Sequence, residues 1–340
     1  MTRIRTYEIG TTLTNELQII KSLTGKDYAP ELATVTEVLA RLNELTDIPV
    51  TLIPMLRAPL EGASRYAAVA AAIGTKIYVG TGSGWEYLKD WWEYDSYNNT
   101  WTQKTDFPGT ARNFAVAAAL GTKIYVGTGD HGEIPYDKDW WEYDPATDAW
   151  TQKTDFGGSA RYCAVAVALG TKIYLGTGFT TGFLKDWWEY DPATDAWTQK
   201  TDFGGTARHG AVAAALGSKI YVGTGWDGDN TKDWWEYDPA TDAWTQKTDF
   251  GGTARKYAVA AALGTKIYVG TGDDGVFKKD WWEYDPATDS WTQKTDFGGP
   301  ARQNPVAAAI PTKIYVGTGM SGSFLTNDYQ RDWILQNWNY

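Results

Sequence analysis

One segment recurs along this chain, and a chain that copies itself this closely can fold only as an array of like units. Arg65, Arg112, Arg161, Arg208, Arg255 and Arg302 each precede a stretch such as Ala115-Val116-Ala117-Ala118-Ala119-Leu120-Gly121-Thr122-Lys123-Ile124-Tyr125-Val126-Gly127-Thr128-Gly129, at spacings of 47 or 49 residues. After a loop of varying sequence comes Lys-Asp-Trp-Trp-Glu-Tyr-Asp, starting at Lys89, Lys138, Lys185, Lys232 and Lys279. A turn, most often Pro-Ala-Thr-Asp, leads to Trp-Thr-Gln-Lys-Thr-Asp-Phe at Trp101, Trp150, Trp197, Trp244 and Trp291.

Each unit reads as four short strands, here lettered a to d. In the second unit strand a is Ala115–Leu120 and strand b is Lys123–Gly127, with Gly121-Thr122 as a two-residue hairpin turn between them. Strand c is Trp140–Tyr143, whose aromatics suit a pleated surface. Asp144-Pro145-Ala146-Thr147-Asp148 breaks it, and strand d follows at Trp150–Lys153. The Ala and Val of strand a suit the crowded place where copies converge. The large rings of strands c and d suit the wider space between neighbouring sheets. Four-stranded sheets repeated about an axis make a β-propeller.

Gly127 and Gly129 closing strand b, Tyr143-Asp144, and Trp150 seven residues after Tyr143 recur together in five units, four of them with the proline of Tyr143-Asp144-Pro145, and this pattern resembles the kelch-repeat family over about residues 50–340. One departure is that the family has adjacent glycines where this chain has Gly-Thr-Gly throughout. In the last unit the chain passes Lys313–Gly319, reaches Arg331-Asp332-Trp333-Ile334 as a strand c, and ends without a fourth strand. Val50-Thr51-Leu52-Ile53-Pro54-Met55-Leu56 is an orphan apolar strand upstream, and the expectation is that it supplies the missing one and hides the strand edges. The expected fold is thus all-β, a six-bladed kelch-type propeller of four-stranded antiparallel blades over residues 50–340, closed by an N-terminal strand. A small, mainly helical segment over residues 1–49 precedes it. Within that segment Leu32, Val35, Leu39 and Leu42 form one apolar stripe, which suits either packing on the propeller or docking and self-association with an assembly partner.

Antiparallel order puts the nearly invariant a–b and c–d turns at one end of every blade and the variable b–c loops and d–a links at the other. Loops on a rigid scaffold are where recognition is built. The six arginines, Arg65, Arg112, Arg161, Arg208, Arg255 and Arg302, lie at that end. The resemblance implies that they hold an acidic peptide, for which a planar guanidinium fork is suited. Their presence in every unit favours instead a brace that ties each link to a neighbouring carbonyl or acid. Tyr87, Tyr136, Phe183, Phe277 and Tyr329 stand three residues before the Asp that opens strand c, and this regularity suits packing between blades. Trp85, His131, Phe179 and Trp226 follow no such rule and are the better contact candidates. The Lys-Asp pair before each Trp-Trp reads as a solvated or interblade pair of small individual worth. Asp227-Gly228-Asp229-Asn230 and Asp273-Asp274-Gly275 lack the trailing Glu of a calcium loop and read as turns. Cys163 reads as a small core residue.

With 31 basic and 42 acidic side chains and a net charge of −11, the chain lacks the basic clusters that nucleic-acid binding requires. A lone Cys excludes an intrachain disulfide, and no uninterrupted apolar run is long enough to cross a membrane. No export signal is visible at Met1, so a cytoplasmic protein is expected as synthesised, compatible with later incorporation in a virion. No cofactor and no metal are expected. The leading reading is a non-enzymatic recognition or structural module that binds a protein or a surface glycan through the loop face. Its N-terminal segment would attach it to a larger assembly, for which a phage virion appendage is one layout. The resemblance also implies an enzymatic alternative, since some kelch-like propellers are copper radical oxidases or sialic acid mutarotases. The oxidase set of two His, two Tyr and a crosslinked Cys is poorly matched by His131, His209 and Cys163, which leaves the mutarotase.

Overall fold

The computed structural model describes residues 55–322 and 333–336. Five blades are each one continuous stretch of chain, with four antiparallel strands hydrogen-bonded in sequence order. In the first, strands a to d are Val69–Ile73, Lys76–Gly80, Trp91–Asp95 and Thr100–Lys104. The inner strands of the next four are Val116–Leu120, Val165–Leu169, Val212–Leu216 and Val259–Leu263. The remaining sheet is a composite of both chain ends: Val306–Ile310, Lys313–Gly317 and Trp333–Gln336 are strands a to c, and Met55–Arg57 lies outermost, antiparallel to Trp333–Gln336.

This corrects the expected count of six complete blades: five are self-contained, and the sheet that joins the two chain ends is closed by the N-terminal strand, as expected. No helix occurs among the described residues, and the helical segment expected over residues 1–49 lies outside them. Among the described residues the outer strand of the composite sheet is Met55–Arg57, which overlaps the C-terminal end of the expected Val50–Leu56 strand. Leu32, Val35, Leu39 and Leu42 lie outside the described residues, as do Tyr329 and the residues before Met55.

Within each blade the chemistry of the strands follows the sequence. Leu120 pairs with Lys123 across Gly121-Thr122, and Gly121 takes φ 61°, the positive first position that a type II′ hairpin asks of glycine. Strand b is buried on both faces, and a Cβ on Gly80 at its end would overlap the ring of the fully buried Trp91. Between the first two blades, Val69, Tyr78, Trp91 and Phe107 pack on Ile124, Val126 and Tyr143, and the same set recurs around the ring. The indole of Trp91 meets Trp150 edge-on at 5.2 Å. Alternate inner-strand positions turn alanine to the axis, where Ala70, Ala117, Ala166, Ala213 and Ala307 line a cavity of about 180 Å³.

Two hoops of backbone hydrogen bonds join neighbours at the loop end. The second residue after each arginine sits at positive φ and donates its N–H to the equivalent carbonyl in the preceding unit. The bonds run from Phe114 to Ala67, Cys163 to Phe114, Gly210 to Cys163, Tyr257 to Gly210, Asn304 to Tyr257 and Ala67 to Asn304. In the second hoop the last glycine of each Gly-Thr-Gly donates to an arginine carbonyl of the next unit, as from Gly82 to Arg112 at 2.7 Å and from Gly319 to Arg65 at 2.9 Å. At the perimeter Asp148, Asp195, Asp242 and Asp289 each accept the N–H of a Thr in the preceding blade at 3.0 Å. At the seam with the composite sheet Asn99 replaces the Asp and accepts from Ala58 N–H at 2.9 Å, while Trp101 Nε1 donates to Ala58 O at 2.8 Å.

A chain beginning at Ala58, without the outer strand, is therefore expected to melt at a lower temperature and to exchange the amides of Trp333–Gln336 faster. Unchanged melting and protection, measured by calorimetry and hydrogen exchange, would show that this strand contributes nothing to closure.

Candidate functional site

The six arginines set the geometry of the loop face, although not by converging on the axis. Each guanidinium runs outward within its own unit. Arg161 places Nη1 and Nη2 on the two oxygens of Asp186, each at 2.6 Å. Its Nη1 also donates to Thr177 O at 2.9 Å, Nε to Ser159 O at 3.0 Å and Nη2 to Ser159 Oγ at 3.2 Å. The Phe156 ring lies 4.8 Å from the guanidinium carbon. All five donors are thus consumed inside one unit. Arg65, Arg112, Arg208 and Arg255 repeat the fork on Asp90, Asp139, Asp233 and Asp280. Arg302 donates to Pro300 O and Thr318 O and lies over Phe297. All six are buried, so the structure places them as braces behind the face rather than as groups presented on it.

The aspartates were missed in the sequence. Each belongs to the Lys-Asp pair that reads as a solvated or interblade pair, yet the Asp is the buried arginine's partner and also accepts the indole N–H two residues on, as from Trp188 to Asp186 at 2.7 Å. Burial pushes the carboxyls of Asp90, Asp186 and Asp280 up, but arginine hydrogen bonds and charge, with the indole, hold them below the ordinary carboxylate value. Recurrence of Arg and Asp together in five units was the available signal. The threonine between the glycines is part of the same bracket: Thr81, Thr128, Thr177, Thr224, Thr271 and Thr318 sit at φ between 55° and 63° and aim a carbonyl at the guanidinium.

Above these braces the d–a links and b–c loops form the axial mouth. Tyr66, Asn113, Tyr162, His209, Lys256 and Gln303 each bridge the first residue of their own b–c loop, namely Ser83, Asp130, Phe179, Trp226, Asp273 and Met320. Phe114 and Tyr257 reach across from blades two and five, and their rings meet at 5.8 Å, plugging the alanine-lined bore. A Cβ at Gly210 would strike the Tyr257 ring, so the glycine in blade four makes room for the plug. His209 is buried among Tyr162, Phe179, Phe183 and Tyr257, and burial, then the Lys256 charge, pull its imidazole down to about 4. The buried Cys163 lies at φ 52° in the same layer, and burial pushes its thiol up.

The other sequence candidates separate. Trp85 is 88% exposed at the tip of the first b–c loop. His131 is half-buried with Nδ1 2.9 Å from Asp137. Phe179 packs into the mouth, and Trp226 carries the Lys256 ammonium 4.1 Å from its ring centre. Tyr136 contacts Tyr162 of the next blade at 4.7 Å and Phe183 stacks on His209, which fits the interblade role read from their regular spacing. Among the described residues no three His, Cys, Asp or Glu side chains group as metal ligands.

The family profile of the KLHDC2/KLHL20/DRC7 Kelch-repeats domain matches residues 50–225 and 159–319 of this chain. No curated protein matches. Among solved structures, that of YjhT is similar with a TM-score of 0.70 at 16% identity, covering 82% of this chain and 96% of that one, a likeness of fold alone.

Two outcomes test this description. Removing one partner of a buried ion pair, as in Asp186→Leu, is expected to cost about 3 kcal/mol or more in urea unfolding, and Arg161→Met in the same chain is expected to recover part of it. Additive losses would show that the two side chains are not coupled. Because His209 titrates lower in the folded chain than its ordinary 6.5, the unfolded chain takes up the proton first as pH falls. Its share of stability, complete above that range, is therefore lost as pH drops toward 4. His209→Phe is expected to flatten the fall of melting temperature over this interval, and an unaltered slope would rule the residue out as its source.

Proposed function

We propose, from the premise that this chain belongs to the kelch-repeat family, that it is a non-enzymatic recognition module whose loop face binds a protein or a surface glycan. Residues 1–49 in this reading tie the propeller to a larger assembly, such as the virion of a phage. The observation that carries the proposal is the distribution of difference within the repeat. The bracket of arginine, aspartate and threonine recurs almost unaltered, while the residues at the mouth above it, Tyr66, Asn113, Tyr162, His209, Lys256 and Gln303, are nearly all unlike. A rigid frame that repeats and a surface that does not is the arrangement a binding platform needs.

What supports recognition over chemistry on an acidic sugar is the state of the cations. Five of the six arginines share their guanidinium groups with aspartates of their own blades, and all six are buried, so none of these six can meet a substrate carboxylate without breaking a brace.

The full chain, assayed on a glycan array and against candidate assembly proteins, is expected to bind a ligand whose affinity drops about tenfold or more on Trp85→Ala with Trp226→Ala. Tyr97→Ala, 82% exposed at a c–d turn on the opposite end, is expected to leave that affinity alone. Loss of binding with Tyr97→Ala and not with the tryptophans would place recognition on the other face. A sialic acid anomerisation rate above background, abolished by the double tryptophan change, would favour the mutarotase.

A further inference from the structure

The mouth differs from one side to the other. Around blades three to five it is filled by its own aromatic rings, and Lys256 caps Trp226. Along the arc from the composite sheet through blade one to blade two, the positions on either side of Tyr66 are amides. Gln303 and Asn113 are each only 4% exposed, and Gln303 Oε1 and Asn113 Oδ1 have no hydrogen-bond partner. They flank Tyr66 on consecutive links, since Ala67 N–H bonds to Asn304 O and Phe114 N–H to Ala67 O. A buried acceptor left without a donor is costly unless something that binds supplies one.

The b–c loops of blades one and two, which rise over this arc, carry Trp85, Glu86, Asp130 and Glu133. Glu86 and Glu133 are exposed, and neither they nor Asp130 forms an ion pair among the described residues. The arginines that would have made this face basic are buried behind it. What it offers outward is therefore carboxylate and a bare indole, with two unpartnered acceptor oxygens buried beneath them.

We propose that this arc is the docking site for a cationic protein segment, whose Arg or Lys side chains reach in past the rim to donate N–H groups, one to Asn113 Oδ1 and another to Gln303 Oε1. Glu86, Asp130 and Glu133 supply the opposing charge, and Trp85 the aromatic face that a cation seeks. This rests on the recognition reading above and gives it a partner class. The fold contains the same chemistry in finished form at Trp226, where Lys256, standing at the link position equivalent to Asn113 and Gln303, lies over the indole. A carboxylate-rich partner is disfavoured, because it would meet like charges and oxygens that can only accept.

Fluorescence anisotropy with the full chain and labelled Gly-Ser peptides, each carrying three Arg, three Lys, three Glu or no charge, tests the proposal. The Arg and Lys peptides are expected to bind, more weakly as salt rises, and the other two to bind far less. Asn113→Leu and Gln303→Leu are each expected to weaken Arg-peptide binding about tenfold or more, the scale of a charge-assisted hydrogen bond. Asn113→Asp and Gln303→Glu, which keep an acceptor and add charge, are expected to bind at least as tightly as the parent, and they decide the matter if a leucine variant melts early. Glu86→Gln with Glu133→Gln is expected to flatten the salt dependence. Equal or tighter binding of the Glu or uncharged peptide overturns the proposal, as does unchanged binding by folded leucine variants or weaker binding by the acidic ones. A glycan or protein captured through Trp85 and Trp226, with no preference for the cationic peptides, leaves recognition standing and removes this inference alone. No ligand in any assay removes both.

Discussion

The buried fork between arginine and aspartate is the interaction on which the loop end of this propeller depends. One guanidinium fixes three pieces of chain at once: the link that brings it in, through Nε; the end of strand b, through the threonine carbonyl; and the start of strand c, through the carboxylate. A buried charge is tolerable only when paired and fully hydrogen-bonded. With all five donors of Arg161 engaged, that condition is met. The bracket lets the side chains immediately above it change from Tyr to Asn to His to Lys without moving the backbone that carries them.

The fork explains a strained element as well. A β-branched residue at positive φ is disfavoured, at a cost of about 1–3 kcal/mol per site. Six threonines nevertheless occupy that region between two glycines. The conformation points the threonine carbonyl at the arginine and leaves the following glycine N–H free for the next unit's arginine carbonyl. A Cβ on that glycine would press on the link backbone, as at Gly82 against Tyr66 O. The second position therefore has to be glycine, while the first tolerates a side chain under strain.

Much of the fold could be read from the sequence because repetition exposes it. Strand limits fell within a residue of those observed, as for Val116–Leu120 and Trp140–Asp144, since alternation and turn chemistry are local. Pairing of the two chain ends was legible from a missing strand, although Met55–Arg57 is held by partners far away in sequence, including Leu335 and Trp333. The count of six set the sheet shared by both termini beside five blades that are each complete in one stretch of chain. The arginine–aspartate fork spans 25 to 27 residues, and in a strip of sequence each Asp stands beside a Lys that looks like its natural mate. At the mouth, Trp85 was visible as an irregular aromatic. Asn113 and Gln303 were visible only as variable link residues, because an amide gains further meaning once its neighbours are seen to leave it unpaired.

The hoop of positive-φ residues has an evolutionary corollary. Every member gives its N–H to the unit on one side and its carbonyl to the unit on the other, so the circuit has no loose end. Repeats this alike invite unequal recombination, which would add or delete one copy at a time. A chain so altered could not simply widen or narrow its circle, because each of these bonds would have to reopen and settle at a new angle, with Phe114 and Tyr257 no longer facing each other across the bore. Near-identical copies can therefore drift in sequence at the rim while their number stays locked.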